Sequence, residues 1–181
     1  MSLKIVDQPL PDLKLLQPMV FQDQRGGFLE IFHQETYREL GITQPFVQDN
    51  LSYSTHDVLR GLHYQHPHAQ AKLVMVIHGK IFDVAVDLRK GLPTFGRWYG
   101  VELSEENHQQ LFVPAGFAHG FCVLSADAYV YYKCTDFYVP TAEHTLQWDD
   151  PDLGISWPVK SPILSEKDGR GKRLAECILP E

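Results

Sequence analysis

The chain has 181 residues, 44% of them apolar and 22% charged. At about 150 residues per domain this predicts one domain over 1–181 and excludes disordered and collagen-like classes. Sixteen Lys and Arg against 23 Asp and Glu give a formal charge of −7. That balance argues against non-specific nucleic-acid binding, but leaves an anionic small ligand open, because a few local cations can outvote the global field inside a cleft.

In chain order, the opening MSLKIVDQPLPDL lacks the apolar stretch of a signal peptide. The longest apolar run, Leu73 to Ile77, is far too short to span a membrane. Three cysteines, Cys122, Cys134 and Cys177, show no CxxC spacing and predict reduced thiols in a cytoplasmic protein. Strand-like stretches are expected at 14–22, 28–33, 46–54, 58–65, 72–78, 81–89, 98–103, 109–113, 119–124 and 129–135. The clearest is 81–89, where Phe82, Val84, Val86 and Leu88 alternate with Ile81, Asp83, Ala85, Asp87 and Arg89. Short helices are expected at 34–40, 104–108 and 172–177. Beyond Pro151, Gly, Pro and charged residues predict a tail packed on the core. Many strands with little helix between them predict an all-β, antiparallel sandwich or barrel.

His63 lies in Leu59-Arg60-Gly61-Leu62-His63-Tyr64-Gln65. A strict period of two sends Arg60 and His63 to opposite faces, but a bulge at Gly61 would aim both into one cavity. His63, His66, His68 and His119 admit a metal-dependent reading, yet Pro67 interrupts the HxH pair and no Glu follows to complete a cluster. No metal is expected. Pro114-Ala115-Gly116 makes a turn that delivers His119 to a strand. Tyr129-Val130-Tyr131-Tyr132-Lys133 is an aromatic strand, and Ser165-Glu166-Lys167-Asp168-Gly169 on its own is a solvated turn. No Walker loop, GxGxxG or GxSxG is present, so a phosphate would be gripped by Arg and Lys side chains such as Arg25, Arg60, Lys72 and Lys167.

Taken together, Arg25-Gly26-Gly27-Phe28 with Glu30, Phe46-Val47-Gln48-Asp49-Asn50, Leu59 to Gln65, Gln70-Ala71-Lys72-Leu73-Val74, Gly79 to Arg89, Pro93-Thr94-Phe95-Gly96, Pro114 to Phe121, Tyr132-Lys133 and Leu164 to Asp168 occur in one order over about 20–168. This ordered set resembles the dTDP-4-dehydrorhamnose 3,5-epimerase family of cupin jelly rolls. The first motif of metal-binding cupins is missing where the chain reads Gly61-Leu62-His63-Tyr64.

The resemblance implies a jelly roll, a homodimer, no cofactor, and inversion of C3 and C5 in a dTDP-linked 4-keto-6-deoxyhexose. Both carbons are α to the C4 ketone, so a base on one face and an acid on the other suffice. The resemblance makes His63 the base, oriented by Asp168, and Tyr132 the acid. An imidazole with an ordinary pKa of about 6.5 suits proton abstraction near neutrality. Lys72 would stabilise the enolate oxygen, and His119, paired with Asp83, would support it. Arg25, Phe28, Glu30, Gln48, Asn50, Arg60, Tyr138 and Lys167 would bind the substrate. The competing readings are a mono-epimerase of a related sugar nucleotide, a metal-dependent cupin isomerase or oxygenase, and a non-catalytic sugar-nucleotide binding module.

Overall fold

The structure is a computed structural model describing residues 3–179; residues 1, 2, 180 and 181, the ends of the expected 1–181 domain, lie outside the described residues. Its strands are β1 (Leu3–Leu10), β2 (Leu13–Pro18), β3 (Val20–Asp23), β4 (Gly26–Leu29), β5 (Gln48–Thr55), β6 (Leu59–Gln65), β7 (Lys72–His78), β8 (Lys80–Asp87), β9 (Trp98–Ser104), β10 (Gln110–Val113), β11 (Phe117–Val123), β12 (Asp127–Cys134) and β13 (Glu143–Thr145). One α-helix, α1 (Gln34–Glu39), and 3-10 turns at Pro140–Ala142, Asp168–Arg170 and Leu174–Glu176 complete the elements. None of these helices is long and apolar enough to cross a membrane.

A six-stranded sheet in the order β1-β2-β10-β7-β12-β5 lies against a five-stranded sheet, β13-β6-β11-β8-β9, while β3 and β4 form a separate ribbon. Val74, Val76 and Val130 of the first sheet meet Ile81, Ala85 and Phe121 of the second in the main core. The all-β, cupin-type jelly roll expected from the sequence is the fold observed.

The alternation in β8 shows how the layers are arranged. Ile81 and Ala85 face the other sheet. Val84, Val86 and Leu88 face outward but are equally buried, because Leu153, Trp157 and Leu174 of the C-terminal segment cover them. Two apolar faces on one strand therefore signal a covered sheet, and the tail is the cover.

Several local expectations change. Strand β1 arises where none was expected, because this edge strand exposes most of its residues and carries little period-two signal. The stretch 14–22 splits into β2 and β3 at Met19, and 28–33 stops at Leu29. Residues 104–108 form a turn in which the Asn107 side chain accepts from the Ser104 and Gln109 N–H groups, a local alternative that pre-empts a helix. Only 174–176 of the expected 172–177 helix is helical, as one 3-10 turn.

Strands β6 and β11 approach unusually closely. A Cβ on Gly61 (φ +124°) would stand 2.6 Å from the Gly120 Cα, and one on Gly120 would stand 2.6 Å from the Arg60 carbonyl oxygen. The register shifts here, from His119↔His63 to Phe121↔Arg60. This is the bulge expected at Gly61, and it brings Arg60 and His63 to the same cavity.

Candidate active site

Where the main core ends, the sheets enclose a cavity of about 350 Å³, a size suited to a small organic ligand. His63, on β6, and His119, on β11, come from the five-stranded sheet. Lys72, on β7, with Tyr132 and Cys134, on β12, come from the six-stranded sheet. The two walls thus carry different chemistry.

His63 Nε2 lies 2.6 Å from Asp168 Oδ1. Burial raises the Asp168 carboxyl, but the His63 hydrogen bond and charge, with Ser165 and the Gly61 N–H, outweigh burial and hold it below the ordinary carboxylate value. A carboxylate only accepts, so the imidazole proton faces Asp168 and the other ring nitrogen keeps its lone pair. That nitrogen can take a proton, and Asp168 stabilises the imidazolium that results.

Asp168 reaches this position through a strap, residues 163–172, clipped at both ends. Leu59 N–H donates to the Ile163 carbonyl at 3.0 Å and Ile163 N–H to that of Asp57 at 2.9 Å. At the far end Lys172 N–H donates to Thr145 at 3.0 Å and Gln147 N–H to Lys172 at 2.8 Å. What reads locally as a solvated turn thereby buries its aspartate, which is 4% exposed.

His119 Nε2 lies 2.9 Å from both carboxylate oxygens of the fully buried Asp83. On the opposite wall, burial pushes the Tyr132 phenol up, so it stays protonated and can donate. Burial likewise lowers Lys72, against the opposing pull of Cys134, Asp83 and Glu143. A cation placed there is poised to be stabilised by negative charge developing beside it.

At the mouth, Glu143 accepts from Lys167 Nζ at 2.9 Å and from the Tyr138 hydroxyl at 2.9 Å. Burial raises the Glu143 carboxyl, but these two donors and the His63 charge hold it low. Arg60 is fixed by Nε on Ser54 Oγ at 2.8 Å and by Nη2 on the Tyr53 carbonyl at 3.1 Å. Gln48 and Asn50 share the inward face of β5 and line the cavity, with Gln48 Nε2 donating to Asn50 Oδ1 at 3.0 Å.

The cavity therefore gathers His63, Asp168, Tyr132, Lys72, His119, Gln48, Asn50, Arg60, Tyr138 and Lys167 of the residues singled out in the sequence. Arg25, Phe28 and Glu30 are not among its lining residues, contrary to the expectation that they complete it. Arg25 and Phe28 sit on the β3–β4 ribbon, where Arg25 is ion-paired with Asp23 and Phe28 is 70% exposed. The ribbon pairs only with itself, so nothing in its own chain's sheets carries it to the cavity. His66 and His68 also stay outside, His68 lying 3.4 Å from Asp136, and no three His, Cys, Asp or Glu side chains converge to hold a metal among the described residues.

Glu143 and Cys134 are among the cavity residues that were not singled out from the sequence. Glu143 becomes a neighbour of His63 only through the β13–β6 register, Glu143↔Gln65 and Thr145↔His63. That pairing spans some 80 residues and has no local signal. Cys134 did have one, since it lies two residues after Tyr132 and shares its face of β12.

The family described as dTDP-4-dehydrorhamnose 3,5-epimerase matches residues 7–176. A dTDP-4-dehydrorhamnose 3,5-epimerase of Neisseria gonorrhoeae is 53% identical over 96% of the chain, which spans about half (53%) of that protein's length. One from Shigella flexneri is 49% identical over 97% of the chain and 98% of its own length. A solved dTDP-6-deoxy-D-glucose-3,5-epimerase from Legionella pneumophila Philadelphia 1, in complex with dTDP-4-keto-L-rhamnose, superposes with a TM-score of 0.93 at 50% identity, covering 96% of this chain and 94% of that one. With its histidine wall, its phenol-and-lysine wall and these full-length likenesses, the chain belongs to the dTDP-4-dehydrorhamnose 3,5-epimerase family.

Proposed function

We propose that the protein is an isomerase that inverts C3 and C5 of dTDP-4-dehydro-6-deoxy-D-glucose, giving dTDP-4-dehydro-L-rhamnose in dTDP-L-rhamnose biosynthesis. The observation that carries this reading is the placement of His63, backed by buried Asp168, on one sheet and of Tyr132 on the other, both lining one cavity. Inversion at a carbon α to a ketone needs a proton removed from one face and returned to the other. The steps are redox-neutral.

In this mechanism His63 removes the proton at each centre, Asp168 stabilises the imidazolium, and exchange with solvent takes that proton away and reprotonates Tyr132 between the two centres. Lys72 holds the C4 oxygen as negative charge develops there, with the His119–Asp83 pair beside it. Tyr132, kept protonated by burial, returns a proton on the opposite face. Electrostatic preorganisation at such an oxyanion contributes on the order of 3 kcal/mol in other enzymes. Arg60 and Lys167 face the diphosphate, Gln48 and Asn50 the nucleotide or hexose, and the exposed Tyr138 ring the base.

Arg25, Phe28 and Glu30 enter this reading through a second copy of the chain. Leu51, Tyr53, Ile77 and Tyr129 leave an exposed apolar face on the six-stranded sheet, and the ribbon exposes Phe21 and Phe28. A homodimer would cover that face and let the ribbon of one protomer complete the cavity of its partner. The whole of 1–181, tail included, acts as one catalytic domain, and three free thiols support a cytoplasmic location.

Incubation with the 4-keto sugar nucleotide in D₂O tests the reaction. Deuterium is expected at both C3 and C5, undiminished after chelation. Label at a single carbon makes the protein a mono-epimerase; no label, or activity lost with chelation, overturns the proton-transfer reading. Light scattering is expected to give twice the chain mass.

A further inference from the structure

Three glutamines converge on one short loop. Residues 135–139 follow β12 and carry Tyr138, 49% exposed, to the cavity mouth, beside Phe137, 61% exposed. Gln70 Nε2 donates to the Asp136 carbonyl at 2.7 Å. Gln65 Nε2 donates to the Phe137 carbonyl at 3.1 Å and to the His68 carbonyl at 2.7 Å. Gln48 Oε1 accepts the Tyr138 N–H at 2.8 Å, and Gln65 Oε1 accepts the Val139 N–H at 2.7 Å. Four consecutive residues are thus each bonded to a glutamine amide, and the glutamines come from β5, the end of β6 and the segment before β7.

The loop's backbone groups have no strand partners here, and its two aromatic side chains bury too little to fix it. A primary amide suits the task because it donates and accepts from one terminal group, as Gln65 does towards Phe137 and Val139. The base of the loop is closed by Ala71 N–H on Thr135 Oγ1 at 2.9 Å and Thr135 N–H on the Ala71 carbonyl at 3.0 Å. At its tip the Tyr138 hydroxyl meets Glu143, which also holds Lys167. Gln65, 5% exposed, has both ends of its amide committed to this backbone, so it acts through the loop.

We infer that Gln65 and Gln70 are positioning residues for substrate binding: with Gln48 they clamp the 136–139 backbone so that Tyr138 and Glu143 stand preformed at the cavity mouth. The inference rests on the proposed role of Tyr138 as a nucleotide contact. A preformed rim lowers the ordering cost of binding without touching the proton-transfer step.

The test uses Gln70→Met and Gln65→Glu, each alone and combined with Tyr138→Ala. The first removes one donor; the second sets a carboxylate against two carbonyls. Alone, each is expected to raise KM and the Kd for dTDP about tenfold while leaving kcat within about twofold, the signature of lost uniform binding. In the Tyr138→Ala background neither should raise KM further, since residues acting through one contact are not additive. Amide hydrogens of 136–139 should exchange about tenfold faster in the single variants, with the sheet cores unchanged. An unchanged KM, an effect that persists undiminished without Tyr138, or a uniform rise in exchange overturns the clamp. Failure of the unaltered protein to bind dTDP overturns the functional reading instead, while the exchange data still judge the clamp. If Gln65→Glu does not fold, the partly exposed Gln70→Met decides.

Discussion

Two histidine–carboxylate pairs share the cavity, and they are built in different ways. His119 and Asp83 sit on adjacent strands, β11 and β8, with Asp83 opposite Phe121 and Ala85 opposite His119. Sheet register alone makes them neighbours, and both are nearly removed from solvent, at 7% and 0% side-chain exposure. His63 keeps 24% exposure, and its partner Asp168 lies 105 residues away on the clipped strap. The register pair is rigid and closed, suited to holding a charge. The strap pair leaves its imidazole open to the cavity, suited to exchanging a proton. A base has to meet its substrate; a supporting pair only has to stay put.

This contrast is sharpened most by removing each imidazole. His63→Ala is expected to lower deuterium incorporation at both carbons by about 10³-fold or more, whereas His119→Ala should cost roughly 10- to 10²-fold. Equal losses, measured as kcat for solvent exchange, would erase the division of labour. His119→Ala should also lower Tm, because it strands the buried Asp83 carboxylate without its partner.

The opposite wall gives the next effect. Lys72→Met should lower kcat about 10²-fold yet raise Tm by roughly 2–4 °C per kcal/mol gained, because an ammonium largely withdrawn from water in the cavity wall costs stability. Burial sets the Lys72 amine below its ordinary value. Below that lowered folded-state pKa the native protein carries the partly desolvated charge. As pH rises through it towards the unfolded-state value of about 10.4, the native amine becomes neutral while the unfolded chain still binds the proton, and stability is regained. The Tm advantage of the variant should therefore shrink in calorimetric scans as pH is raised towards the ordinary lysine value. An advantage that grows with pH would contradict this assignment.

The smallest effect isolates the strap. A Cβ at Gly171 would stand 2.8 Å from the Gln147 Cα, a backbone contact that must shift. Gly171→Ala is expected to lower kcat about tenfold by displacing Asp168, with a modest fall in Tm and no change in the His119–Asp83 pair. Imidazole NMR would check it: the His63 resonance should move and that of His119 should stay.

Residues separated by a few positions were the legible part of this site. Gln48 and Asn50 share a face by the two-residue period, Gly61 announced the bulge that brings Arg60 and His63 together, and Tyr132 fell inside a recognisable aromatic strand. Asp168 entered only through the family resemblance, and Lys167 beforehand as one of several cations able to grip a phosphate, since Ser165 to Gly169 taken locally is an ordinary turn. Glu143 escaped because its tie to His63 is a strand pairing some 80 residues apart. The glutamine clamp escaped for a related reason. Gln65 and Gln70 carry no special sequence signal, and Gln48 none towards this loop, until three separate elements close on it.

Local chemistry thus determined the strands, the turns and the kinds of side chain available, because period and punctuation act over neighbouring residues. Tertiary closure decided which carboxylate meets which histidine, where burial lowers Lys72 and raises Tyr132, and that Arg25 and Phe28 stand outside their own chain's cavity. Those outcomes depend on desolvation and on contacts between distant segments, which exist only once the sheets and the strap have come together.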